Sequence, residues 1–171
     1  MKKLVFLTIM ALSFLACDDG DIDQSSFEFA EKVNVCGEYT LYRLSENGAR
    51  EALIITLTEA QIKNSVEPVA PVNVTLTGPY TVTDRVFADE VTSSYFCQVI
   101  PPTEPKVKKD WRGVSGSILV QNNAVYGTDG TTIVGYEHII VLNDVLLESG
   151  NETLVFNDTY LFGTFQTTVT P

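Results

Sequence analysis

A single histidine, His138, and three cysteines, Cys17, Cys36 and Cys97, are the scarcest reactive side chains of this sequence. His138 lies within Gly135-Tyr136-Glu137-His138-Ile139-Ile140, a strand-like run. A histidine base acts on a nucleophile and is oriented by a carboxylate, and no Gly-x-Ser-x-Gly elbow is present to supply the nucleophile. His138 therefore reads as a structural strand residue. Cys36 and Cys97 lack the closely spaced Cys or His partners of a zinc site. Facing carboxylates can hydrolyse glycosides. Asp89-Glu90, Glu137, Asp144, Glu148 and Asp158, however, fall at turns or on alternating strand positions and read as solvated. Gly113-Val-Ser-Gly and Gly127-Thr-Asp-Gly lack the lysine and the strand-to-helix context of a phosphate loop. No catalytic residue, metal ligand set or cofactor is expected.

The most suggestive cluster is Pro101 to Gly113, which carries Lys106, Lys108, Lys109, Trp111 and Arg112. Its prolines deny ladder hydrogen bonds, so it is expected as an exposed loop between strands. The four cations make a positive spot on an acidic chain, and the only tryptophan beside them has the composition of a binding hot spot. The competing expectation turns Trp111 inward as a core plug.

The elements that must position these residues are strands. The chain has 171 residues, 44% hydrophobic and 19% charged, with 11 Lys+Arg against 22 Asp+Glu and a formal charge of −11. This is globular composition for one domain. The acidic balance argues against nucleic acid, since no surplus cation is present to displace counterions from phosphates. From Val33 onward, short β-type runs alternate with turn residues. Tyr39 and Leu41 alternate with Thr40 and Tyr42, and Glu46-Asn47-Gly48 is a hairpin signal. Further runs are expected at 53–57, 72–76, 80–83, 95–100, 114–120, 124–127, 133–142, 145–148, 153–156 and 160–169. Turns are expected at Asn122-Asn123, Asp129-Gly130 and Ser149-Gly150-Asn151. Glu59 to Val66 has some helical propensity and reads as a loop turn. The pattern predicts an all-β antiparallel sandwich of about nine or ten short strands, with a barrel as the alternative. Gly37-Glu38-Tyr39 is similar to the Gly-x-Trp that opens lipocalins, which would imply a ligand-holding barrel.

The N-terminus carries an address. Lys2 and Lys3 precede an apolar run, Leu4 to Leu15, too short for a membrane span and suited to a signal peptide. Phe14-Leu15-Ala16-Cys17 resembles the lipobox of bacterial lipoproteins, with Phe14 where an aliphatic residue is usual. The resemblance implies a signal peptide over 1–16, lipidation at Cys17, and membrane attachment through that anchor. Asp18, Asp19, Asp21 and Asp23 with Gly20 follow, an acidic tether over 17–31 that resembles the surface-export signal of some Gram-negative lipoproteins, whereas under the enteric sorting rule Asp directly after the Cys implies inner-membrane retention. A calcium loop is a poorer match, with Gln24 and Ala30 at the positions requiring Gly and Glu. A single all-β domain is then expected over 32–171. With Cys17 lipidated, Cys36 and Cys97 remain as an even pair in an exported chain, which points to a disulfide.

Three function classes remain open. The first is a lipid-anchored, non-enzymatic envelope domain that binds a protein or glycan or supports the envelope, held at the outer membrane and exposed at the surface. The second is a small-ligand carrier with a lipocalin-like barrel, and the third is a carboxylate-dependent hydrolase.

Overall fold

The computed structural model describes residues 28–169 apart from 38, 47, 99 and 101. The signal peptide, Cys17 and the tether up to residue 27 lie outside the described residues.

The fold is all-β and antiparallel, as expected. Among the described residues, eight strands form one sheet: β1 (Asn34–Cys36), β2 (Thr40–Leu44), β3 (Glu51–Thr56), β4 (Val72–Asn73), β5 (Thr81–Phe87), β6 (Val107–Tyr126), β7 (Ile133–Ser149) and β8 (Glu152–Thr168). The order is β1-β2-β3-β5-β6-β7-β8, with β4 pairing to β6. The sheet curls into a half-barrel whose end strands, β1 and β8, are not paired with each other among the described residues. A four-residue helical turn, α1 (Ser93–Phe96), interrupts the series.

Several of the expected short strands fuse. The runs at 114–120 and 124–127 belong to β6, and those at 133–142 and 145–148 to β7. Asn122-Asn123, expected as a turn, lies inside β6 because Asn122 is buried and hydrogen-bonded. The breaks seen in the hydrophobic pattern are bulges. In β7, Ile140 and Leu142 face the core, and so do Val145 and Leu147. Asp144, at φ 48°, absorbs the extra residue that restores the inward face. Gly116 (φ 101°) in β6 and Asp158 (φ 57°) in β8 lie at the same level. The three long strands therefore bend along one line, and their distal halves close over β2 and β3. A Cβ on Gly116 would stand 2.6 Å from Asp144 O and Val145 Cα, so only glycine lets the strands approach there.

Leu41, Leu53, Ile55, Val82, Ile118, Ile140, Leu142, Leu147 and Phe162 fill the resulting core. A smaller cluster, Ala52, Phe87, Val91 and Tyr95, packs on the opposite face of β3. It explains why residues 95–100 are not a strand. Tyr95 and Phe96 are drawn onto Phe87, with ring centroids at 5.0 and 6.1 Å, and the helical turn lets both rings reach it. Cys97 directly after α1 is disulfide-bonded to Cys36 in β1, with Cα atoms 5.0 Å apart across 61 residues.

The packed body begins upstream of the expected boundary at residue 32. Phe29 is buried in the core and bridges Ser45, and Ala30 N donates to Leu44 O at 2.9 Å. Phe29 alternates with Glu28 and Ala30, so its ring turns inward where a purely solvated tether has none.

Candidate functional site

Where the two ends of a curled sheet approach without pairing, their edges must be closed by something else or left open. Both happen here. At one end of the seam, Arg43 of β2 closes it. Its guanidinium donates to Phe29 O and Ala30 O on one side, both at 2.7 Å, and to Phe162 O at 2.7 Å and Leu161 O at 3.4 Å on the other. A rigid fork of donors suits converging carbonyls that a single ammonium could not span. Gly163 lets the lips approach, since a Cβ there would meet the Val33 side chain at 2.5 Å.

Farther along, the lips part and leave an open groove of about 900 Å3. One lip is Val35, Gly37 and Tyr39, and the other is Phe165, Gln166 and Thr167. Glu59, Ala60, Ile62, Lys63, Asn64 and Ser65 form the floor. The floor is the expected loop turn after β3. Thr58 organises it: its carbonyl accepts from Gln61 N at 3.0 Å, and its hydroxyl donates to Gln61 Oε1 at 2.7 Å. Ile62 plugs the core beneath.

A buried polar chain underlies the groove. Asn122 Nδ2 donates to Gln61 O at 3.1 Å, which leaves Asn122 Oδ1 as the acceptor facing His138 Nδ1 at 2.6 Å. His138 Nε2 faces Thr167 Oγ1 at 2.9 Å, and Thr167 Oγ1 lies 2.8 Å from Asn64 Oδ1. His138 is fully buried, and desolvation holds its pKa below the ordinary 6.5. Its ring packs against Phe165 at 4.8 Å. The expectation of a structural strand histidine fits this packing, and the chain of contacts leads from it to a groove that residue types alone did not reveal.

The basic cluster is arranged differently from the expected loop. Lys106 precedes β6, while Lys108, Lys109, Trp111 and Arg112 lie within it, because the strand starts at Val107 to pair with β5. Alternation turns Trp111 inward to 2% exposure, as a core plug. Lys109 Nζ sits 4.2 Å over the Trp111 ring and 2.6 Å from Glu152. Arg112 lies 3.5 Å from Asp110, which also holds Arg85 at 2.6 Å. Trp111 is thus withdrawn from the surface, and Lys109 and Arg112 each face a carboxylate.

The buried acids Glu51 and Asp84 sit in the packed interior near Arg43 and Tyr160, whose pKa burial raises while Arg43 opposes the shift. Neither lines the seam groove. Among the described residues no group of three His, Cys, Asp or Glu side chains could hold a metal ion, and no helix is long and apolar enough to cross a membrane. No family model, no curated protein and no solved structure matches this chain.

Proposed function

We propose that the protein is a lipid-anchored, non-enzymatic binding protein of the bacterial cell envelope that holds its ligand in the seam groove. The observation that carries this reading is the parting of β1 and β8 over a filled core. It leaves a concave site of about 900 Å3 with an aromatic ring on each lip and a mixed polar and apolar floor that includes the Asn64 amide. The lipobox-like Phe14-Leu15-Ala16-Cys17 supports attachment at Cys17, and the acidic residues after it support display on the outer membrane.

A carrier of small ligands is the second reading. Gly37 and Tyr39, the residues similar to the lipocalin opening, stand on the groove's lip. The groove is open along its length, which favours an extended ligand lying across it over a small molecule enclosed within.

Two measurements test the proposal. Cys17→Ser should abolish palmitate labelling and release the protein from membranes; unchanged labelling and partitioning would refute the anchor. Ala60→Trp fills the groove from an exposed loop position, so it should remove retention of envelope material while leaving the melting temperature unchanged. Equal retention by both forms would refute the groove as the site.

A further inference from the structure

We infer that the seam groove recognises a neutral saccharide, an inference that rests on the groove being the binding site. Among the described residues its charged lining is one acid and one base, Glu59 and Lys63, which offset each other on a chain of formal charge −11. An anionic ligand would meet an unfavourable overall field there, and among the described lining residues no carboxylate cluster invites a cation.

The groove also offers what a sugar requires. Asn64 is held in place by Thr167, which is held by His138 and, through Asn122, by the Gln61 carbonyl. That chain fixes one end of the Asn64 amide. The other end has no partner among the described residues and belongs to the groove lining. A fixed amide binds at lower entropic cost than a free one. Next to it, the half-buried ring of Phe165, backed by His138, offers an apolar surface to the C–H face of a pyranose. Thr167 and Gln166 add a hydroxyl and a second amide on the same lip.

An extended peptide fits less well. Arg43 already occupies the Leu161 and Phe162 carbonyls of β8, so a ladder on that edge is confined to the residues after them. The six residues left, Gly163 to Thr168, are the length of an average strand, so a short peptide strand is the competitor that the digest arm of the test below measures.

Calorimetric titration of the full chain in detergent tests the inference, with maltohexaose, cellohexaose and chitohexaose as neutral probes and polygalacturonate as the anionic one. At least one neutral probe should bind. Loss of the amide in Asn64→Ala, or of the ring in Phe165→Leu, should weaken binding about tenfold, the size of one hydrogen bond or one ring contact. Ala60→Trp should abolish it, whereas Gln121→Ala, outside this groove, should leave it unchanged. Polygalacturonate should not bind. The inference is overturned if no neutral probe binds, if binding ignores the three groove variants, or if peptides from digested envelope protein displace the sugar from the groove with higher affinity. Should the neutral probes fail while envelope material is still retained by the native groove and not by Ala60→Trp, the saccharide is wrong and the groove stands. Should Ala60→Trp also make no difference, both fail.

Discussion

His138 has a partner on each ring nitrogen, and the two partners differ in what they can accept or give. Asn122 presents only its oxygen, because its nitrogen is committed to Gln61 O, so Nδ1 carries the proton. Thr167 has one proton and serves either His138 Nε2 or Asn64 Oδ1. With burial lowering the pKa, the imidazole is neutral at pH 7, and the Asn122 oxygen keeps its one proton on Nδ1. Long-range nitrogen–proton NMR should find the Nδ1–H tautomer; an Nε2–H ring would contradict this assignment. The stability consequence has a definite sign. The folded pKa lies below the unfolded value near 6.5, so the unfolded chain takes up the proton first. The contribution of His138 is present above about pH 6.5 and is lost as pH falls from there through the folded value. The urea midpoint should therefore drop more between pH 7.5 and 5 in the native protein than in His138→Asn. Trp111 makes a simpler residue-scale prediction. At 2% exposure its emission should be blue-shifted and resistant to iodide, and a water-like, quenchable signal would contradict its position in β6.

At the scale of elements, the bend across β6, β7 and β8 decides whether the sheet closes over its own core. Gly116 is the position where it is least forgiving. Alanine there combines a φ of 101° with a backbone clash at 2.6 Å, and should cost about 2–4 kcal/mol or prevent folding, read from denaturant midpoints. Gly130 and Gly150 are at positive φ in turns, with open space where a Cβ would stand, and alanine there should cost less. The turns at Asp129-Gly130 and Ser149-Gly150-Asn151 are legible in the sequence because turn chemistry is local. Asp129 accepts from Thr131 N, Thr132 N and the Thr132 hydroxyl, the last being the main reason its carboxyl is held down to about 2. The fused strands are not legible. A change in inward parity between Leu142 and Val145 looks the same in sequence as the end of one strand and the start of another. The difference lies in the register with β8, where Val145 faces Phe156. Nor is the groove legible, since Tyr39 and Phe165 come from opposite ends of the chain and meet only because the sheet curls.

For the molecule as a whole, the packing of the described residues includes Glu28 to Ala30. A chain starting at Lys32 loses Phe29 from the core and two of the carbonyls that Arg43 holds. It should be destabilised by about 3–5 kcal/mol, the cost of deleting a buried phenylalanine. An unchanged melting temperature would return residues 28–31 to the tether. Arg43 has a further consequence, which concerns time. Its bonds to Leu161 and Phe162 join residues 118 and 119 positions apart, whereas β6, β7 and β8 are linked by short turns. Closing a long chain loop is entropically costly until the segments at its ends are already ordered. The β6–β8 meander should therefore form early and the seam last, which puts the Arg43 contacts after the rate-limiting step. Arg43→Met should then leave the refolding rate nearly untouched while speeding unfolding on the order of 10–100-fold. Equal slowing of refolding would place the seam in the nucleus. A protein closed this way owes its lifetime, more than its speed of assembly, to one guanidinium.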